Sequence, residues 1–476
     1  MTQSTATNAD TAHGHHAWTP KSWKARPRAQ AVRYEDPAAL DRAVARLAQL
    51  PPLVTSWEIE SLKASLAQAQ VGNRLIIHGG DCAETLEDCN PTTITATLKI
   101  LLQMSLVLIH GSQKPVVRIG RLAGQYAKPR SRPTETLTID GAPVEMPSYF
   151  GDLVNRADPT PDARRPDPEL LLAGYHHAAM TLNFIRSLAS GGFADLHHAE
   201  QWDLRFLTNA QLSGELRERY QRMTQEVRSA IRFAELVGAS SLQEVSRVDF
   251  FASHEGLNLE YESAQTRRVP RRDGFYCLTT HLPWIGERTR ALDGAHIEFF
   301  RGIANPVGVK IGPSIDPQEA VQLLRTLNPK REPGKIVLIT RMGASKVDAL
   351  PPILHAVTRS GEPAVWLCDP MHGNGQVTDD GRKTRSFDAI VRELRGTMAA
   401  HAQAGTVLGG VHIEVTGQDV TEVLGGASGV TQERLSENYA TACDPRLNYA
   451  QALELAFILS GALSGQGSRT AGDLPA

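Results

Sequence analysis

Four residues of this 476-residue chain are candidate ligands for a transition metal, because of both their side chains and their positions. Cys82, His372 and Glu414 each follow a short apolar run, and Asp444 precedes the last helical stretch. A thiolate, an imidazole and two carboxylates form a mixed soft and hard donor set that suits Mn, Fe, Co or Zn. No pair has the close spacing of a zinc-finger motif. The local sequence therefore also allows a buried apolar role for Cys82 and a structural ion pair for Glu414.

Basic residues occupy the same kind of position. Arg121, Lys310 and Arg341 each end an apolar run, and Arg288 follows one closely. Arginine binds phosphate or carboxylate through two parallel hydrogen bonds, and lysine contributes a point charge. The pattern indicates a site for one or two small phosphorylated anions. A second basic cluster at residues 125–133 could equally be an ordinary surface.

Eight short apolar runs position these residues. Runs that are apolar throughout and precede helical stretches are typical of parallel strands buried on both faces. Eight such strands predict an α/β fold, a TIM (β/α)8 barrel, whose active site lies where the carboxyl ends of the strands converge. The third run ends on His254 and Glu255, for which a structural and an acid–base role both stay open. The runs are 75–77, 115–117, 248–252, 275–280, 307–309, 336–340, 365–367 and 411–413.

Additional segments are predicted before the first barrel strand and after the second. Residues 1–20 are polar and predict a disordered tail, and residues 21–70 predict an N-terminal helical extension. The barrel domain is expected to span 71–470. The second and third runs are separated by far more chain than one βα unit needs. A helical insertion is therefore predicted at about 150–245, with one helix from 167 and another at about 212–237.

The composition argues against several classes of protein. With 50 Lys+Arg against 52 Asp+Glu, the net charge is -2, which gives no general attraction to nucleic acid or to an anionic membrane. The longest apolar stretch, 100–109, is too short to span a bilayer, and residues 1–20 lack the apolar segment of a signal peptide. The 5 cysteines are few and scattered. We expect a cytoplasmic protein without a disulfide scaffold.

Seven motifs in this chain, in the same order, resemble the type II 3-deoxy-D-arabino-heptulosonate 7-phosphate (DAHP) synthases. The resemblance covers roughly residues 55–465. The motifs are GGDCAE at 79–84, RLAGQYAKPR at 121–130, WIGERTR at 284–290, NPVGVK at 305–310, DPMHGN at 369–374, VHIEVTG at 411–417 and ACDPRLN at 442–448.

The resemblance implies condensation of phosphoenolpyruvate with D-erythrose 4-phosphate and water, which releases phosphate and begins the shikimate pathway to chorismate and the aromatic amino acids. One divalent metal is implied, Mn²⁺ or Co²⁺ first, with Fe²⁺ or Zn²⁺ as alternatives. Lys310 and Glu287 are hypothesised to be catalytic by moving protons. Matching the family's motifs to this sequence implies that the metal ligands are Cys82, His372, Glu414 and Asp444. It implies that the phosphoenolpyruvate pocket is formed by Arg121, Glu287, Arg288, Lys310 and Arg341. It also implies that the phosphate end of erythrose 4-phosphate is bound by Lys128, Arg130 and Ser131.

The resemblance also implies a homodimer or homotetramer, allosteric feedback and a possible chorismate mutase partner. Two other functions stay open. One is a phosphoenolpyruvate-dependent synthase that uses a different sugar phosphate, and the other is a catalytically silent regulatory homologue. Loss of site residues would signal the silent homologue, whereas this chain keeps all four candidate ligands and every pocket cation.

Overall fold

The computed structural model describes residues 17–139, 142–190, 249–441 and 443–467, with nine further positions between 214 and 229. Most of the predicted tail, and most of the predicted helix at 212–237, lie outside the described residues. Trp18 lies within the stretch predicted as tail and is packed. Its ring centroid is 5.3 Å from that of Phe275, and its Nε1–H donates to the Glu298 carbonyl at 2.8 Å. Packed structure therefore begins before residue 20.

Eight parallel strands close into a barrel, which confirms the predicted TIM fold. The barrel closes where the first strand pairs with the last, with Ile76 opposite Gly410. The strands are almost entirely buried, which explains why seven of the eight were predicted from apolar runs in the sequence. They are β1 (Leu75–Gly80), β2 (Val116–Arg121), β3 (Phe250–Glu255), β4 (Leu282–Ile285), β5 (Val307–Ile311), β6 (Ile336–Thr340), β7 (Val365–Cys368) and β8 (Gly410–Glu414).

The predicted strand at 275–280 is wrong. Only Phe275–Cys277 is extended there, and it pairs antiparallel with Thr266–Arg268 outside the barrel. The barrel strand of this unit is β4, which contains Pro283. Because proline lacks an N–H and is unusual inside a sheet, the sequence pattern favoured the apolar run before it.

Helices surround the barrel. Side chains cap several of them: the Asp36 carboxylate accepts from the Ala39 N–H, and Thr55 and Glu58 form a capping box. α1 and α2 lie in the stretch predicted as the N-terminal extension, and α5 in the predicted insertion. The helices are α1 (Pro37–Gln49), α2 (Ser56–Gln70), α3 (Pro91–Ser112), α4 (Pro161–Arg164), α5 (Glu169–Ser190), α6 (Leu259–Ala264), α7 (Ala295–Phe300), α8 (Pro317–Leu327), α9 (Leu350–Ser360), α10 (Phe387–Gln403) and α11 (Tyr449–Gly467).

Among the described residues, α3 is the one helix long and apolar enough, by length and composition, to cross a membrane. Its most apolar window is 67% buried in the fold. The helix packs against α11 and against β1 and β2. Core packing therefore accounts for its apolar surface.

Two hairpins extend the carboxyl-terminal rim of the barrel. One pairs Thr134–Ile139 with Ala142–Pro147 after β2, and the other pairs Gly375–Val377 with Lys383–Arg385 after β7. The sequence patterns did not predict either hairpin. Both contribute side chains to the site described below.

A buried histidine in α7 should make stability depend on pH. His296 is 1% exposed, and its Nε2–H donates to the Leu257 carbonyl at 3.0 Å. Burial lowers the pKa of His296 from 6.5 to about 4. Between these values the unfolded chain binds a proton at His296 that the folded chain does not. The contribution of His296 to the free energy of unfolding is therefore fully present above pH 6.5 and is lost as the pH drops toward 4.

We expect His296→Gln to remove most of this acid-dependent loss. A shift of between two and three pKa units corresponds to about 3 kcal/mol, and glutamine can keep a donor for the Leu257 carbonyl. Urea unfolding at pH 6.5 and at pH 4 should show the variant losing about 3 kcal/mol less than the parent protein. Equal losses in both proteins would contradict this assignment.

Candidate active site

The polar residues that end the barrel strands surround one cavity of about 620 Å³ at the rim. The cavity brings together residues far apart in the sequence, as the barrel topology predicts. Glu414 does not line it but lies fully buried, in contact with His372. The other eleven predicted site residues all line the cavity: Cys82, Arg121, Lys128, Arg130, Ser131, Glu287, Arg288, Lys310, Arg341, His372 and Asp444.

Three of the four predicted metal ligands form a compact cluster. The Cys82 thiol and carboxylate oxygens of Glu414 and Asp444 all lie within 4.8 Å of one another. His372 is outside this group of three, but its Nε2 is 2.9 Å from Glu414 Oε1. Its Nδ1 is 2.8 Å from a carboxylate oxygen of Asp369. An acceptor at Nδ1 leaves Nε2 as the nitrogen available for a metal.

A cation already lies within this donor set. Lys128 Nζ contacts the Cys82 thiol and donates to Asp444 Oδ2 at 2.7 Å. Burial would lower the pKa of Lys128, but the charges of Cys82, Cys443 and Asp444 raise it well above its ordinary value. The cluster therefore stabilises positive charge, and its sulfur and carboxylate donors fit a divalent metal ion.

Glu414 is held ionised by buried cations. Arg121 Nη2 donates to its Oε1 at 3.0 Å, and Arg385 Nη1 is 2.7 Å from its Oε2. Burial alone would raise the pKa of Glu414, but His372, Arg385 and Arg121 lower it well below 4.5. Arg385 comes from the hairpin after β7 and was absent from the sequence prediction.

Lys310, on β5, is a buried amine among polar groups. Its Nζ is 3.2 Å from Asp369 Oδ2 and 3.3 Å from His372 Nδ1, and it lies 5.8 Å from the centroid of the Trp284 ring. Burial lowers the pKa of Lys310; Asp369 opposes this, and Arg121 adds to it. A lysine whose pKa moves toward neutrality can both give and take a proton.

Two carboxylates line the cavity near the cations. Glu287, predicted as catalytic, accepts from Arg290 Nη2 at 3.0 Å, and its Oε2 is buried without a hydrogen-bond partner among the described residues. Glu255, whose role the sequence left open, likewise has an unpartnered, buried Oε1. Burial raises the pKa of Glu255, and Lys310 and Lys128 partly offset the rise. In the sequence, the position of Glu255 at the end of an apolar run was the feature that indicated a possible role in the site.

Two arginines near the cluster are held in place by contacts with neighbouring residues. Arg121 Nη1 donates to His412 Nε2 at 2.9 Å, and its guanidinium lies 5.3 Å from the centroid of the Trp284 ring. Arg341 Nη2 donates to the His372 carbonyl at 2.8 Å. These contacts fix both guanidinium groups at the cavity.

Two further arginines line the cavity, and each donates a hydrogen bond to a neighbouring side chain. Arg288 Nη2 donates to Ser131 Oγ at 2.9 Å, so the structure brings these two predicted residues together. Arg130 Nη2 donates to Glu135 Oε2 at 2.6 Å, across to the hairpin after β2. A carboxylate on a guanidinium occupies a position that a phosphate group can also take.

The closed barrel and the site at its rim define a TIM-barrel enzyme. The chain belongs to the class-II DAHP synthetase family, whose sequence model matches residues 18–460. The predicted resemblance is thereby confirmed.

Curated relatives cover nearly the whole chain. A phospho-2-dehydro-3-deoxyheptonate aldolase of Neurospora crassa is 45% identical over 477 residues, which span 97% of this chain and 96% of the relative. A protein of the same name from Streptomyces coelicolor is 45% identical over 440 residues, 92% of this chain and 96% of the relative. Phospho-2-dehydro-3-deoxyheptonate aldolase AroG of Mycolicibacterium smegmatis is 42% identical over 431 residues, 89% of this chain and 90% of the relative.

Proposed function

We propose that this protein is a DAHP synthase, which condenses phosphoenolpyruvate with D-erythrose 4-phosphate and water to give DAHP and inorganic phosphate. This reaction begins the shikimate pathway. The observation that carries the proposal is one cavity, in a member of this family, that brings candidate metal donors together with several arginine and lysine side chains. That combination suits an anionic enol and a phosphorylated aldehyde.

A divalent ion, Mn²⁺ or Co²⁺ first, is proposed as the cofactor, with Cys82, His372, Glu414 and Asp444 as its ligands. When bound it supplies Lewis-acid polarisation of the aldehyde oxygen. With the ion bound, Lys128 would give up its contacts with Cys82 and Asp444, and its ammonium would be available to an anionic substrate.

The cavity cations are proposed to hold two mutually repelling anions in register. Arg121, Arg341 and Lys310 would bind phosphoenolpyruvate, together with Arg288 from the rim. Arg130 and Ser131 would receive the phosphate end of the sugar. Fixing both substrates removes most of the entropic cost of bringing their carbons together, and the fixed charges need no rearrangement as the reaction proceeds.

The reaction requires proton transfers that buried side chains can perform. The enol carbon of phosphoenolpyruvate bonds to the aldehyde carbon, and the aldehyde oxygen takes a proton. Water then adds to the neighbouring carbon and loses a proton to leave a hydroxyl group. That hydroxyl gives up its proton as the bond from the carbon to the phosphate oxygen breaks, which leaves a ketone and inorganic phosphate. Lys310 is proposed as one proton-transfer group, with Glu287 or Glu255 as the other.

Variants at the two carboxylates separate these alternatives. We expect Glu255→Gln to lower kcat about 10²-fold or more, with a small change in KM, because Glu255 has the raised pKa and its buried Oε1 has no hydrogen-bond partner among the described residues. Glu145→Gln, on the cavity rim, is the control and should keep kcat within a few-fold. A kcat loss in Glu287→Gln, with none in Glu255→Gln, would assign the role to Glu287.

Release of inorganic phosphate from phosphoenolpyruvate, measured with a panel of sugar phosphates, tests the proposed substrates. Erythrose 4-phosphate should give the highest kcat/KM. A preference for another aldehyde would establish the alternative synthase. No release with any aldehyde, in folded and metal-loaded protein, would support the silent regulatory homologue.

Family membership also motivates proposals about assembly. A homodimer or homotetramer, feedback by aromatic amino acids and a chorismate mutase partner stay predictions. Sedimentation, alone and with a mutase, measures the oligomeric state and the partner, and the rate of phosphoenolpyruvate consumption with each amino acid added measures the feedback.

A further inference from the structure

A buried ion pair connects the two chain segments that carry the candidate metal ligands Cys82 and Asp444. Asp81 directly precedes Cys82, and Arg446 follows Asp444 by two residues. Arg446 Nη1 donates to Asp81 Oδ1 at 2.6 Å, and both side chains are about nine-tenths buried. The pair therefore joins the loop after β1 to the loop that carries Asp444.

Glu422, from the segment after β8, closes this network. Its Oε1 and Oε2 accept from Arg446 Nη2 at 2.7 Å and from Nε at 3.1 Å. The same carboxylate accepts from the backbone N–H groups of Ala440 at 3.3 Å and Arg446 at 2.8 Å. Glu422 is completely buried. One carboxylate thus holds both ends of the segment that contains Asp444.

The network lies outside the active-site cavity. Neither Arg446 nor Glu422 lines the active-site cavity, so neither is a catalytic residue. Burying an ion pair costs desolvation free energy that its attraction roughly offsets, so the pair adds little net stability. What it does supply is geometry, because the planar guanidinium fork holds two carboxylates at fixed angles.

We propose that Arg446 is a positioning residue which, with Asp81 and Glu422, sets the separation of Cys82 and Asp444 for metal binding. The inference rests on the proposed metal-dependent function. Ligands held in place before the ion arrives need no ordering when it binds, and groups that orient ligands in this way are typically worth about 10- to 100-fold in metal affinity.

Cobalt binding tests the proposal without any turnover. Co²⁺ bound to a thiolate absorbs in the near ultraviolet, so titration gives both an affinity and a report on the Cys82 contact. Asp81→Asn and Arg446→Lys should each bind Co²⁺ about 10- to 100-fold more weakly, with an altered band at saturation. The double variant should bind Co²⁺ no more weakly than the single variant with the lower affinity, because both changes break the same contact between Arg446 and Asp81.

Glu260→Gln is the matched control. Glu260 accepts from Nη1 and Nη2 of Arg28, at 2.8 and 2.6 Å, in another largely buried pair that does not line the cavity. It should lower the melting temperature and leave Co²⁺ affinity unchanged. Wild-type affinity and an unaltered band in both Asp81→Asn and Arg446→Lys would overturn this inference alone. No band in the parent protein, with Cys82→Ser identical to it, would overturn the proposed metal role as well.

Discussion

Lys310→Met is expected to lower kcat by about 10²–10⁴-fold, the usual contribution of a positioned acid or base. Methionine has nearly the length of lysine but cannot carry a proton. The fold should survive because Asp369, which loses its contact with Lys310 Nζ, still accepts from the backbone N–H groups of Met371 and His372. Phosphoenolpyruvate consumption gives kcat and KM, and circular dichroism gives the melting temperature.

Lys335→Met is the control for loss of a buried lysine. Lys335 precedes β6 at the opposite end of the barrel, and its Nζ donates to the Ile303 carbonyl at 2.5 Å. Its replacement should change stability and leave kcat unaltered. Near-normal turnover in Lys310→Met would remove Lys310 from the proposed proton transfers.

Glu414→Gln is expected to lower kcat/KM by about 10²–10⁴-fold and to weaken Mn²⁺ binding in parallel. Metal polarisation supplies several kcal/mol of transition-state stabilisation, and each 1.36 kcal/mol is about tenfold in rate. The variant loses a ligand charge and also leaves Arg121 and Arg385 as buried cations without their carboxylate. Both effects oppose a divalent ion.

Calorimetric titration with Mn²⁺, beside steady-state rates at saturating metal, measures this prediction. Glu298→Gln serves as the control, because Glu298, in α7, pairs with Arg301 just after the helix and does not line the cavity. It should bind Mn²⁺ and turn over as the parent does. An unchanged Mn²⁺ affinity in Glu414→Gln would show that Glu414 is not a ligand.

The sequence predicted most of the barrel and the position of its site, because a strand buried on both faces appears as an apolar run and the next residue faces the rim. Lys310, near the end of β5, and Glu414, at the end of β8, were predicted as site residues in this way. The rule failed at β4, where Pro283 interrupts the pattern. It also gave no signal for the two rim hairpins, whose strands are short or largely exposed.

Supporting residues were harder to find because their partners are distant in sequence. Arg385 contacts Glu414 from a hairpin with no apolar run before it. Arg446 lies inside a recognised motif, but motif spacing alone does not separate a ligand from the residue that orients it. Glu255 stood at a strand end, yet only the fold shows that its carboxylate lines the same cavity as Lys310.

The most direct test of the central claim follows the ultraviolet absorbance of phosphoenolpyruvate in chelator-treated protein. The sample is measured with and without erythrose 4-phosphate, and with and without added Mn²⁺. The proposed function predicts loss of absorbance only when sugar and metal are both present. Equal loss without metal, or no loss in folded and metal-replete protein, would contradict it.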